Sequence, residues 1–98
     1  MKVIWKFALE FEWKFALEFE RESTLKLPKD CEILKLDLQG TNAIMLWVIA
    51  DTEASMEERK VTMLYTGERF EEAPGKYLGS VLLNGGSFVG HYFIKEKQ

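Results

Sequence analysis

Apolar and charged residues alternate strictly from residue 5 to residue 20. Trp5, Phe7, Leu9, Phe11, Trp13, Phe15, Leu17 and Phe19 fall on one parity, and Lys6, Ala8, Glu10, Glu12, Lys14, Ala16, Glu18 and Glu20 on the other. A helix would scatter the rings around its whole circumference, whereas an extended chain gathers them on one face, so the pattern predicts β-strand. The stretch is one octapeptide, WKFALEFE, written twice. Eight is an even number, so the second copy keeps the faces of the first. At about 3.3 Å per residue the sixteen residues would reach roughly 53 Å, whereas a domain of this size has a radius of gyration near 13 Å. No Gly, Pro or Asn separates the copies to favour a turn, and the expectation is a long bent strand or an extension that pairs across an oligomer. A single repetition is too little for a solenoid. An in-frame tandem duplication accounts for the identity.

The same reading continues down the chain. Leu25 and Leu27 alternate with polar neighbours up to Pro28, LPKDCEI reads as a turn, and Leu34, Leu36 and Leu38 form a half-buried strand ending at Gly40. AIMLWVIA, residues 43 to 50, is continuously apolar, as a strand covered on both faces or lying at an interface would be. A polar loop follows, with Ser55 as a candidate cap for one helical turn. Val61, Met63 and Tyr65 then share a strand face, and residues 66 to 76 read as a loop. YLGSVLL and SFVGHYFI flank Asn84-Gly85-Gly86, the strongest hairpin signal in the sequence. The prediction is a single all-β domain over residues 1–98, an antiparallel sandwich or small barrel of six to seven strands with a C-terminal hairpin at Asn84-Gly85-Gly86.

Ninety-eight residues give a thin core, and thirteen of them are Trp, Tyr or Phe, more rings than such a core can hide. Some are therefore expected at a subunit contact or around a pocket, which predicts a homo-oligomer. The net charge of −3 disfavours nucleic acid as a partner. No apolar run is long enough to span a membrane, and the opening residues do not read as a signal peptide, so a cytoplasmic location is expected. Cys31 and His91 are each the sole residue of their type, which leaves no internal disulfide and no multi-Cys or paired-His metal site. No metal or cofactor is expected.

With one octapeptide set aside, the opening MKVIWKFALEFERESTLKLPKDCEIL, together with LWVIAD, the Tyr65-Thr66-Gly67 step and YLGSVLLNGGSFVGHYF, resembles a family of small uncharacterised phage-encoded proteins. The resemblance runs over nearly the whole chain and implies a phage origin and a small β fold. Two departures stand out: Glu68 follows the TG step where the family often has His, and the family's first strand is single and short. The resemblance implies no reaction; by analogy with phage proteins that sequester nucleotide-derived host signals in pockets between subunits, binding is the expectation.

Candidate chemistry is sparse. His91, between Val89 and Phe93, offers an imidazole for hydrogen bonding or proton transfer, with core packing as the competing reading. Gly85, Gly86 and Ser87 offer backbone N–H groups to an anion, against a plain turn. Arg69 after the TG step suits a phosphate, although Glu68, Glu71 and Glu72 share its loop. No nucleophile elbow surrounds Ser80 or Ser87, and a non-enzymatic role is expected. The candidate ligand-binding residues are Trp47, Tyr65, Thr66, Arg69, Ser87, His91 and Tyr92, rings for stacking and polar groups for orientation of a nucleotide-like small molecule. The alternative is a protein-interaction module that offers an exposed strand edge to a partner chain.

Overall fold

Strand β1 (Lys2–Leu9) turns Val3, Phe7 and Leu9 toward the molecule's interior and Lys2, Ile4, Lys6 and Ala8 toward solvent, as the alternation requires, whereas Trp5, on the inward parity, is 39% exposed. The computed structural model describes residues 1–9, 13–14, 18–19, 22–40, 43–72, 74–83, 86 and 88–95. Short strands β2 (Trp13–Lys14) and β3 (Glu18–Phe19) follow, then β4 (Glu22–Pro28), β5 (Glu32–Gln39), β6 (Ala43–Asp51), β7 (Met56–Tyr65), β8 (Lys76–Leu83) and β9 (Phe88–Ile94). The long strands form two antiparallel sheets, one ordered β1-β6-β5 and the other β4-β7-β9-β8. They face each other as a sandwich, and β5 of the first sheet runs close to β8 of the second. Gly79, in β8, lies at this seam, where an added Cβ would meet the Leu36 side chain at ordinary contact distance.

The core is built from the inward parity of every long strand. Leu9, Leu36, Ile44, Leu46, Val48 and Ala50 come from the first sheet, and Leu27, Val61, Met63, Val81, Tyr92 and Ile94 from the second. β6 is the central strand of its sheet and supplies four of these residues. Its other face, with Met45, Trp47 and Ile49, is half-buried, so the continuous apolar run reflects one fully covered face and one partly covered face.

Three expectations are corrected. The strand expected over residues 5 to 20 does not run through: Trp13 pairs with Phe19 and Lys14 with Glu18, so the chain reverses inside the second copy. Length explains this, since a straight strand of roughly 53 Å would overrun a molecule whose longest axis is 42 Å. Residues 10–12, 15–17 and 20 of the repeat lie outside the described residues. In β5, Leu34 faces solvent while Leu36 is buried, because the register against β6 shifts between Ile33 and Lys35 and the extra residue of this β-bulge turns Leu34 outward. The connection from Asp51 to Ser55 is a turn with no helix, closed by the Ala54 N–H on the Asp51 carbonyl (3.0 Å) and the Glu53 N–H on Asp51 Oδ1 (2.9 Å).

Asp51 also anchors the chain's start. The Met1 ammonium lies 3.6 Å from Asp51 Oδ1, and the Thr52 N–H donates to the Met1 carbonyl (2.9 Å). The Glu53 N–H first, and the ammonium beside it, hold the Asp51 carboxyl below its ordinary range.

The C-terminal hairpin stands as the sequence predicts, with β8 antiparallel to β9 and Leu83 opposite Phe88. Asn84, Gly85 and Ser87 lie outside the described residues, and Gly86 takes the positive φ (90°) that favours glycine.

Candidate functional site

Where β7 ends, the chain makes a tight turn over Tyr65-Thr66-Gly67-Glu68. The Glu68 N–H donates to the Tyr65 carbonyl (3.0 Å), and Gly67 has a φ of 86°, the positive value that a type II turn needs at its third residue. Glu68 closes the turn a second time, since its Oε1 accepts the Tyr65 N–H (2.8 Å). The Thr66 N–H reaches the Val89 carbonyl of β9 (3.4 Å), which brings Thr66 beside the strand that carries His91.

β9 directs Tyr92 and Ile94 into the core and Val89, His91 and Phe93 to the outside. His91 stands opposite Leu64 on one side and Ser80 on the other, in the middle of the sheet's outer face. Its Nε2 lies 2.6 Å from Thr66 Oγ1 and its Nδ1 lies 3.0 Å from the Tyr77 hydroxyl. Both partners are hydroxyls, which donate or accept as needed, so either neutral tautomer and the imidazolium can be satisfied. Tyr77 also packs against Phe93 with ring centroids 5.2 Å apart and against the His91 ring at 6.0 Å. The bulge between Tyr77 and Gly79 sets Tyr77 opposite Phe93 while Leu78 turns toward the core. Tyr77 (51%) and Leu82 (60%) are strongly exposed around this cluster, with Leu64, Val89 and Phe93 half-buried beside it. The result is an aromatic and aliphatic surface with three convergent polar groups.

Thr66 and His91 are thus brought together. The other residues singled out from sequence are dispersed. Trp47 lies on the outer face of the opposite sheet, set between Lys6 and Lys35 in the strand register. Tyr92 is fully buried, and desolvation first, with Tyr65 nearby second, raises its phenol well above the ordinary value. Tyr65 packs partly buried against the core. Arg69 is exposed in the loop beyond Glu68, and Ser87 lies outside the described residues. Among the described residues, Trp47 on the opposite sheet and the buried Tyr92 share no surface with His91. Tyr77 joins the cluster instead, although its loop-end position gives no sign in the sequence of the parity that the bulge imposes.

Away from this open face, a concavity of about 590 Å³ lies at one end of the sandwich, lined by Asp30, Cys31, Glu32, Ile33, Glu57, Arg59, Lys76 and Ile94. Arg59 is pinned there, its Nε and Nη2 both donating to the Lys95 carbonyl (3.1 and 2.9 Å). Burial is the main influence on the Cys31 thiol and raises its pKa, while Arg59 opposes that shift. Glu57 and Arg59 fall on the inward parity of β7 with Val61 and Met63. Charged residues on an otherwise apolar parity were the sequence signal for an open end. Among the described residues no three His, Cys, Asp or Glu side chains are grouped to hold a metal ion. Among the described residues no helix is long and apolar enough to cross a membrane.

Compared with known families, the chain matches over residues 1–98 the profile of a domain of unknown function, DUF7352. No curated protein and no solved structure matches it.

Proposed function

The chain belongs to the DUF7352 family, and on that premise we propose that it is a non-enzymatic binding protein that uses the outer face of β7, β9 and β8 as its ligand surface. The observation that carries this reading is the imidazole of His91 held between the Thr66 and Tyr77 hydroxyls, on a surface where Tyr77 and Leu82 stay exposed. Apolar surface with a few fixed polar groups is the usual composition of a small-molecule site. A planar base would stack on Tyr77 and Phe93, the Thr66-His91-Tyr77 chain would orient its polar edge, and Arg69 would reach a phosphate from the adjoining loop. An open sheet face encloses a ligand poorly by itself, so the site is completed by a second copy of the chain in a homo-oligomer. The ligand class that fits this chemistry is a nucleotide-derived signal, and sequestration of such a host signal by a phage-encoded protein is the role we assign.

Thermal melts with cyclic and ADP-ribose-type nucleotides test the reading. A ligand at about a hundred times its dissociation constant stabilises the folded state by about 2.7 kcal/mol. The shift should be lost in His91→Ala and reduced in Tyr77→Phe. No shift with any member of the panel would count against a nucleotide ligand.

One observation favours a second reading. β1 is the edge of its sheet, contains no proline and leaves Ile4 64% exposed, so a partner's strand could add to it. Recovery of a polypeptide rather than a small molecule from infected cells would decide for that alternative.

A further inference from the structure

The two copies of WKFALEFE are interchangeable as partners of β6, and we propose that the sheet has two registers, the described one with residues 2–9 as β1 and a minority one with residues 10–17 in that place. In the described register Trp5 lies opposite Val48, Lys6 opposite Trp47, Phe7 opposite Leu46, Ala8 opposite Met45 and Leu9 opposite Ile44. Trp13, Lys14, Phe15, Ala16 and Leu17 repeat those residues in the same order. A slip of eight keeps every side chain on its original face, so the inner surface of β6 receives the same Trp, Phe and Leu.

The connection allows the exchange. In the described register residues 10–21 link the end of β1 to Glu22, the first residue of β4. In the slipped register residues 18–21 make that link, and five Cα steps span up to about 17 Å. β1 and β4 are neighbours across the two layers, with Cα atoms coming within 8 Å. The short pairing of β2 with β3 is given up in the process, and only two residue pairs are lost there.

Charge sets the balance between the registers. Only the first three positions of β1 differ, where Glu10, Phe11 and Glu12 would replace Lys2, Val3 and Ile4. Asp51 now faces Lys2 and the Met1 ammonium, whereas after the slip it would face Glu10. Like charges directly opposite each other disfavour a pairing, which makes the slipped register the minor one. When it forms, residues 2–9 are released from β6 while β6 stays covered.

Cysteine trapping in the full chain tests this, with Cys31→Ser in the background. The pair Ala8→Cys with Met45→Cys locks the described register, since directly opposed residues on antiparallel strands lie about 4.5–5.5 Å apart at Cα, within disulfide range. Ala16→Cys with Met45→Cys should also close within one chain under mild oxidation, more slowly, and about fivefold faster when Asp51→Lys is added. In the Ala16–Met45 trapped chain, hydrogen exchange should show the amides of residues 2–9 unprotected and those of β6 still protected. Closure no faster than that of a Glu18→Cys with Met45→Cys control overturns the proposal. So does closure that leaves residues 2–9 protected.

Discussion

His91 matters because of what holds it. Thr66 and Tyr77 fix the imidazole from opposite sides, and each can change its donor role without moving. Thr66→Val should cost no more than about 1 kcal/mol of folding stability, because the lost hydrogen bond is exposed, yet it should weaken ligand binding as strongly as His91→Ala. Paired denaturation and binding titrations check that split. Gly75 shows the opposite case, a position set by backbone alone. Its φ is 140°, and an added Cβ would run into the Ile94 carbonyl, so Gly75→Ala should destabilise the fold by about 1–3 kcal/mol without touching the site. Leu46, fully buried on β6, should lose about 2–5 kcal/mol on truncation to Ala, as measured by urea unfolding.

At the scale of elements, the prediction concerns the duplication. A chain lacking residues 13–20 keeps every β1–β6 pair and reaches β4 through four residues, so it should fold into the same two sheets with a melting temperature within a few degrees of the parent. Circular dichroism during heating measures this. Strand content was legible wherever one rule acted alone: the alternation in β1, the parity of Val61 and Met63, the flanks of the Asn84-Gly85-Gly86 turn. It failed where two local rules met. Leu34, Leu36 and Leu38 looked equivalent until the bulge turned Leu34 out, and nothing in WKFALEFE marks the reversal, which is forced by the length of the molecule and the lack of a partner for a longer strand. The site was half legible for the same reason. His91 shared a parity with Val89 and Phe93 that the alternation made plain, but two apolar neighbours gave no sign that this parity faces outward, while Tyr77 depends on a bulge and Trp47 on which of two sheets it joined.

For the molecule as a whole, pH and association are the informative variables. Burial raises the phenol of Tyr92 above its ordinary 10.0 and the thiol of Cys31 above its ordinary 9.0. Both groups ionise more readily in the unfolded chain, so their contribution to stability is present in full below their unfolded values and is lost as pH rises from those toward the raised folded ones. Urea unfolding between pH 8 and pH 11 should show the decline, and Tyr92→Phe should remove the part above pH 10. If the outer face of β7, β9 and β8 is a subunit contact, Leu82→Glu should lower the mass seen by light scattering while the melting curve stays cooperative.

The passage from Leu9 to Glu22 carries a practical corollary. The second copy of the octapeptide stands there while the long strands of both layers pair in full, so added sequence is expected to be accepted at this place. A fluorescent label or an affinity peptide grafted after Leu9 would travel as cargo, far from the His91 surface in connectivity, and would report on the molecule without rewriting it.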